Sequence, residues 1–428
     1  MVKDKIWTKE YTTLSITNGL IFFAVQMITP AIPLFIVALG GTETDVGMVA
    51  TSFFITSTIT RFLVNVMLVH VERRRVLLMG VLLNVVVMFA FGYSSSIGVT
   101  AVLRILQGMG FGIITTLSTA MAADILPDSR RGEGIGYFGM MVVLAMTAGP
   151  ILSLPIMRNH GFKAMFFTAS AITLLPTIAV CLMKEPKKSV ELESAEQQAT
   201  EAIKTTEITE ATEATETTGM TATTEAPETS DKPAKRAFWH NFFDPRLTIL
   251  AALVALLGIC RTADMNFIST FAEQRDMGAY LAMYFAIQTS SSFVIRFVMG
   301  RIVDKKGRSW VLVPGAFLKI TALLMLSFTS TKEFMLLASA INGLGIGLIV
   351  PGMQLWLFDV AGPEKRNIAS ATYFSFYDIG ISVGALLFGY LAEYVGYSFM
   401  FRTAASSAAL YLICYAFVGR QRSVRAKG

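Results

Sequence analysis

Charges are rare in the long apolar runs of this sequence, and four of the charged side chains found there form a candidate set. They are Arg104, Arg261, Asp264 and Asp378. A carboxylate removed from water can take up and release a proton, and a guanidinium can pair with that carboxylate or with an anionic ligand. Arg261 and Asp264 are three residues apart, so on a helix they share one face. This set predicts reversible protonation beside a charged ligand; a purely structural network of ion pairs is the alternative.

Uncharged polar side chains recur at a similar depth in other apolar runs. They are Gln26, Gln288, Asn342, Tyr373 and Tyr377. A single amide in an apolar helix usually bonds to a neighbouring helix. Several such groups at one depth instead favour a water-filled cavity that they line. Lys319 is a further embedded cation, but its long stem can carry the charge to an interface, so we leave it outside the set.

Apolar runs of the length that crosses a bilayer must position these residues. The chain has 428 residues, of which 54% are hydrophobic and 15% charged, against about 25% charged in soluble proteins. Each run is predicted to be a helix, because lipid offers no partner to an open backbone group. Twelve spans, each near the ~20 residues that a helix needs, are predicted at 12–38, 46–70, 76–94, 98–124, 133–157, 163–183, 247–272, 279–302, 310–328, 333–358, 368–392 and 397–418.

Basic residues in the loops predict the orientation of the spans. If the N-terminus is cytoplasmic, the short inside segments hold 18 Lys and Arg residues, whereas the outside loops hold four. Cytoplasmic loops carry the excess of positive charge in membrane proteins. We therefore expect a multi-pass protein of the plasma membrane with both termini in the cytoplasm.

An internal repeat with an offset of 235 residues covers most of the chain. Residues 106–112 read LQGMGFG and residues 341–347 read INGLGIG, while Arg61 aligns with Arg296 and Gly149 with Gly384. Repeats of this size, joined head to tail in a membrane, are typical of transporters. The predicted fold class is an all-α integral membrane protein, with twelve transmembrane helices in two pseudo-symmetric six-helix bundles, residues 1–183 and 246–428.

A Thr/Glu-rich segment at 184–245 separates the two bundles. Its middle, residues 190–231, contains no aromatic side chain. Such a composition cannot bury enough apolar surface to order itself. We predict a disordered cytoplasmic linker, with an interaction tail as the alternative.

The turn after span 8 reads GRIVDKKGR and carries a distinctive spacing of glycine and charge. Gly300 and Gly307 predict a tight helix approach and a sharp turn, and Asp304 suits a helix N-terminus. Arg308 is placed to reach Asp359 at the cytoplasmic end of span 10. This turn resembles the signature loop of the major facilitator superfamily, which recurs in both halves of its members.

The first-half copy of this loop, at 65–73, departs from the pattern. Asn65, Val69 and Glu72 stand where Gly, Asp and Gly are expected. Arg73 is retained, and Asp124 is its expected partner by the repeat relation.

Two further motifs resemble those of exporters in the same superfamily. Arg104, Gln107, Gly108 and Gly110 in span 4 match Arg-x-x-Gln-Gly-x-Gly, whose Arg is linked to proton coupling in the family. Snorkelling of Arg104 to the outer interface is the alternative. In span 5, Gly149-Pro150 matches part of the antiporter motif of drug:proton antiporters. An ordinary proline kink is the alternative there.

The resemblance to the twelve-span drug:proton antiporter family implies secondary active transport by alternating access. The function it implies is proton-coupled efflux, by antiport, of a small amphipathic compound or drug. Three alternatives stay open. They are export of a zwitterionic metabolite such as a metal-chelating opine, import by proton symport, and a membrane sensor or scaffold that does not transport.

Other classes of protein are excluded by what the sequence lacks. It contains no P-loop motif for ATP hydrolysis and no histidine metal cluster, so we expect neither an enzyme nor a metal site. The expected energy source is a proton gradient, without a cofactor. The expected partners are the lipid bilayer, H⁺ and a small-molecule substrate, with no nucleic acid, and we expect a monomer. By elimination, Asp264 or Asp378 is the predicted proton carrier, and Asp264 is preferred because Arg261 is one turn away.

Overall fold

The computed structural model describes residues 5–68, 71–127, 130–183, 247–362 and 366–425, and the predicted linker at 184–245 lies outside them. Eleven helices in the described residues are long and apolar enough to cross a membrane. One of these, Arg131–Leu182, is interrupted at Gly161 (φ 81°, ψ 171°) and therefore contains two spans. The prediction of an all-α protein with twelve spans is confirmed.

The observed spans differ from the predicted ones by a few residues at their ends. Spans 1 to 6 are Lys9–Ala38, Glu43–Met67, Arg73–Phe91, Ile97–Ile125, 131–160 and 162–182. Spans 7 to 12 are Thr248–Gln274, Leu281–Lys306, Ser309–Ser327, Lys332–Ala361, Arg366–Tyr394 and Tyr397–Arg425. Spans 1 and 7, the first of each half, are each two helices: Lys9–Ile28 with Ala31–Ala38, and Thr248–Asn266 with Ile268–Gln274. In span 1 the break falls at Pro30, which has no N–H to continue the hydrogen-bond ladder.

The internal repeat is visible in how the helices begin. Ser96 accepts a hydrogen bond from the backbone N–H of Val99 at the start of span 4, and Thr331, 235 residues later, does the same for Phe334 at the start of span 10. These side chains satisfy N–H groups that have no partner within the helix. Gly396, equivalent to Gly161, likewise has a positive φ (95°) before span 12. We call residues 5–183 the first half and residues 247–425 the second half.

Glycines bring equivalent helices into backbone contact in both halves. A Cβ atom on Gly108 of span 4 would overlap the carbonyl oxygen of Phe53 in span 2. In the second half, a Cβ atom on Gly343 of span 10 would overlap the carbonyl oxygen of Gln288 in span 8. Small residues that allow such close approach are a common means of helix packing in membranes. This packing fixes the depth at which spans 4 and 10 present their polar side chains.

The two halves meet mainly where span 2 packs against span 11 and where helix Arg131–Leu182 packs against span 8. Large apolar side chains such as Val86, Phe297 and Phe417 lie more than half exposed on the outer surface. That surface is what a lipid environment requires. The polar side chains predicted to do chemistry are instead mostly buried between the helices.

Candidate substrate and proton pathway

Asp264, in the middle of span 7, is the centre of a buried polar cluster built from four spans. Its carboxylate contacts both Arg261, one turn away, and Lys319 of span 9. Gln288 Nε2 of span 8 and Asn342 Nδ2 of span 10 donate to Asp264 Oδ2 at 3.0 and 2.7 Å. Asp264 itself is 0% exposed. The structure therefore brings four predicted site residues, Arg261, Asp264, Gln288 and Asn342, to one point.

Lys319 belongs to this cluster, although we left it out of the sequence-based set. The side chain does not reach an interface: it is 2% exposed, and its Nζ donates to Asn342 Oδ1 at 2.9 Å as well as to Asp264. Lys319 is the eleventh of the nineteen residues of span 9, roughly 12 Å from the nearer end at 1.5 Å per residue. The distance of Lys319 from both ends of span 9 could have predicted that it belongs to the buried cluster.

Asp378 lies in a second ion pair that joins the two halves. Arg61 Nη2 of span 2 lies 3.0 Å from Asp378 Oδ2 of span 11, and both side chains are largely buried. The guanidinium of Arg61 also lies over the ring of Phe374, 5.7 Å from its centroid. We predicted no role for Arg61 beyond its alignment with Arg296 in the internal repeat. A cation inside a predicted span was itself the signal for a role.

Arg104 stands apart from both carboxylates. Its Nη1 donates to Gln107 Oε1 at 3.0 Å, and its guanidinium lies 5.1 Å from the centroid of the Phe53 ring. Arg104 is 5% exposed, so it is not a snorkelling side chain. Among the described residues no carboxylate lies within ion-pair distance of it. The four embedded charges thus form separate groups and not the single set suggested by the sequence.

The remaining polar residues predicted to line the cavity lie on spans 1 and 11. Gln26 Oε1 accepts a hydrogen bond from Thr29 Oγ1 at 3.2 Å, beside the break in span 1. Tyr373 and Tyr377 stack on each other, with ring centroids 5.7 Å apart. The Tyr373 hydroxyl is buried and has no hydrogen-bond partner in the described part of the chain.

The antiporter-like motif in span 5 serves close packing. A Cβ atom on Gly149 would lie 2.9 Å from the Cβ of Gln26, and the equivalent Gly384 is packed in the same way against Thr262 of span 7. The backbone keeps helical dihedral angles at Pro150, and the break in this helix lies at Gly161. Span 5 is therefore held directly against the part of span 1 that carries Gln26.

The two signature loops differ in the closeness of their ion pairs. Arg73 Nη1 lies 2.8 Å from Asp124 Oδ2, with both side chains partly buried. Arg308 Nη1 lies 3.7 Å from Asp359 Oδ2, and both side chains are exposed, by 43% and 70%. Exposed pairs of this kind contribute about 0–1 kcal/mol. The first-half loop, which matches the motif less well, has the closer pair.

The glycines of the second loop have different roles, and one expectation about them was wrong. Gly307 has a φ of +86° and forms the sharp turn. A Cβ atom on Gly300 would meet nothing within 4 Å, so Gly300 does not mediate a tight helix approach. The side chain of Asp304 lies outside what the structure describes.

Contacts between the halves close the end of the bundle that the basic residues predict to face outward. Thr51 Oγ1 of span 2 donates to the Ser382 carbonyl of span 11 at 2.9 Å. Nearer the end, a Cβ atom on Gly47 would overlap the carbonyl oxygen of Ala385. Glu43, the first residue of span 2, accepts hydrogen bonds from the hydroxyl of Tyr397 and from Thr270 Oγ1. We call these contacts the outer closure.

Twelve membrane spans in two equivalent halves, with buried charges at mid-depth, define a multi-span membrane transporter. The Major Facilitator Superfamily model matches residues 14–328 and 281–428. The chain belongs to the Major Facilitator Superfamily, as the signature loop predicted.

Two curated relatives are named as drug resistance proteins. Quinolone resistance protein NorA of Staphylococcus aureus is 24% identical over 182 residues, which are 42% of this chain and 47% of that protein. Multidrug resistance protein 2 of Bacillus subtilis (strain 168) is 23% identical over 379 residues, 86% of either chain. This chain thus spans about half the length of the quinolone resistance relatives it matches.

Solved structures share the fold at low sequence identity. The nucleoside transporter NupG has a TM-score of 0.71 at 12% identity, covering 96% of this chain and 99% of that chain. A bacterial homolog of the human lysosomal transporter Spinster, in an inward-facing and unoccupied conformation, has a TM-score of 0.69 at 13% identity, covering 96% and 97%. At these identities the likeness concerns the fold alone.

Proposed function

We propose that this chain exports small amphipathic compounds from the cell by proton antiport, through alternating access, and that Asp264 carries the proton. The observation that carries the proposal is the buried carboxylate of Asp264, held by two cations and two amides from four different spans. Ionisable groups at such a depth are costly and mark ion or substrate pathways. The names of the relatives, quinolone and multidrug resistance proteins, support a drug-like substrate.

The coupling proposed here is a local change of charge partners. Arg261 and Lys319 together balance Asp264 with one positive charge to spare. Protonation of Asp264 would free Arg261 to move into the space that the substrate occupies, and entry of the substrate would return Arg261 to the ionised carboxylate. The two ligands then compete for one cluster, as exchange across a membrane requires.

The test uses the full chain in vesicles with a pH-sensitive dye enclosed. Ethidium, a permanently charged amphipathic dye, and norfloxacin are added outside. Antiport raises the internal pH as substrate enters and protons leave, whereas symport lowers it. We expect Asp264→Asn to abolish this proton movement while substrate binding is retained.

Two further variants control for the position of the charge. Asp378→Asn tests the other embedded carboxylate. Asp276→Asn is a matched control, since Asp276 is exposed and has a positive φ of 56°, which Asn tolerates well. Normal proton-coupled uptake by Asp264→Asn would rule out Asp264 as the carrier. A complete lack of substrate-linked proton movement in the parent would favour a sensor or scaffold.

A further inference from the structure

Arg104 and Gln107 present buried hydrogen-bond donors that lack acceptors. One contact joins the two side chains, from Arg104 Nη1 to Gln107 Oε1. Arg104 Nε and Gln107 Nε2 are both buried and have no hydrogen-bond partner among the described residues. Arg104 is 5% and Gln107 0% exposed. Leaving a buried donor without an acceptor is costly, and more so for a charged group, so we expect this position to bind an acceptor.

The second half shows what such an acceptor looks like. Asn342 occupies the position equivalent to Gln107, 235 residues later, and donates to the carboxylate of Asp264 at 2.7 Å. The residue equivalent to Asp264 in the first half is Thr29, which carries no charge. The first half therefore has the amide and, in addition, a guanidinium, but the described residues supply no carboxylate to them.

The surroundings of Arg104 are aromatic. Its guanidinium lies over Phe53, whose ring contacts Phe54 and Phe111 at centroid distances of 5.0 and 5.4 Å. Phe22 of span 1 continues this wall, 5.2 Å from Phe111. Phe22 and Phe111 are half-buried. One charged, hydrogen-bonding corner at the edge of an aromatic surface suits a flat apolar body that carries an anionic group.

We propose that Arg104 and Gln107 form a carboxylate-binding subsite, and that this transporter prefers amphipathic aromatic substrates bearing a carboxylate. In the first half, the substrate carboxylate accepts hydrogen bonds from Gln107 and Arg104, as the Asp264 carboxylate accepts one from Asn342 in the second half. Guanidinium and amide donors can together satisfy both oxygens of a carboxylate. This inference rests on the proposed transport function. Its test measures substrate binding and does not require transport.

The experiment compares norfloxacin with its methyl ester, which differ only in the carboxylate. Equilibrium binding of each to the purified full chain gives a ratio of the two dissociation constants. A charge-assisted hydrogen bond contributes about 1.5–3 kcal/mol, which corresponds to roughly ten- to a hundredfold. We expect the parent to prefer the acid by at least about tenfold. Arg104→Gln should bring the ratio close to one with little change for the ester, and Arg104→Lys should retain part of the preference.

Matched controls identify what each result means. Arg158→Gln removes a partly exposed cation, which pairs with Glu273 at 2.6 Å, and should leave the ratio unchanged. Retained ester binding shows that a variant is folded. An equal loss of acid and ester binding in Arg104→Gln would assign Arg104 a structural role and overturn the proposal. The proposal would also be overturned if the parent protein bound norfloxacin, benzoate and 2-naphthoate no better than their methyl esters.

A lipid phosphate is the other source of an anionic oxygen. Loss of the acid preference when phosphatidylglycerol is added, with recovery on its removal, would assign the subsite to lipid and overturn the substrate proposal. Acid-selective binding that persists in Asp264→Asn without proton movement would separate the two proposals. That result would support the carboxylate subsite at Arg104 and, independently, the role of Asp264 as the proton carrier.

Discussion

At the scale of single residues, the two embedded carboxylates have different partners. Asp264 is surrounded by groups of its own half, whereas Asp378 pairs with Arg61 from the other half. A carboxylate whose partners lie in one rigid bundle can respond to a ligand there. A carboxylate paired across the interface responds to movement of the bundles. This difference is a second reason to assign the proton to Asp264.

The Arg61–Asp378 pair gives a prediction at this scale. Either Arg61→Met or Asp378→Leu alone leaves a charge without its partner between packed spans, which costs about 3–5 kcal/mol for a fully buried pair. The double variant should recover most of that loss, because it removes both charges. Thermal unfolding in detergent measures all three. Losses that simply add in the double variant would show that the pair has no coupling energy.

A surface pair serves as the control for this cycle. Arg158 and Glu273 also join the halves, but their side chains are 34% and 53% exposed. Arg158→Met should lower stability by about 1 kcal/mol or less.

At the scale of elements, glycine contacts determine which polar groups face each other. Gly108 lets span 4 lie against span 2, and this places Arg104, one turn earlier, over Phe53. Gly343 does the same for span 10 against span 8, where Asn342 and Gln288 then reach the same carboxylate. The chemistry of each half depends on these backbone contacts.

A pair of alanine substitutions tests this dependence. Gly108→Ala adds a methyl group where the Phe53 carbonyl lies, and we expect a loss of about 1–3 kcal/mol in the free energy of unfolding. Gly300→Ala adds the same group in open space and should be neutral or stabilising by about 0.5–1 kcal/mol, since Ala is the better helix former. Thermal unfolding compares the two. Equal stability of both variants would contradict the packing described for span 4.

The sequence predicted the spans well, because about 20 apolar residues in a row have few alternatives in a membrane. It also predicted that Arg261 contacts Asp264, since three-residue spacing on a helix brings side chains together. It did not predict the Arg61–Asp378 pair. Those residues are 317 positions apart, and their meeting depends on how two bundles dock, which periodicity does not encode. Lys319 was missed because its long side chain was expected to reach an interface, although its position is deep within span 9.

At the scale of the whole molecule, the outer closure gives the bundle a defined state. Gly47 lies against Ala385 with no space for a side chain. Gly47→Trp should therefore hold this end open and shift the protein toward conformations that admit reagents from outside. Labelling of a cysteine introduced in the outer part of span 11 measures the shift. Gly98→Trp, at a position with nothing within 4 Å, is the control, and equal labelling of both variants would contradict the account of the closure.

The contacts between spans 2 and 11 also determine how far span 2 must tilt to separate Arg61 from Asp378. Thr51 and Arg61 are ten residues apart on span 2, which is roughly 15 Å along a helix. A tilt of about 10° around the Thr51–Ser382 contact, within the range of known domain rotations, would carry Arg61 away from Asp378 by about 3 Å. A small tilt of span 2 is thus converted into a displacement at Arg61 that is comparable to the length of an ion-pair contact. A rotation too small to change the outline of the protein is enough to make or break the ion pair between its halves.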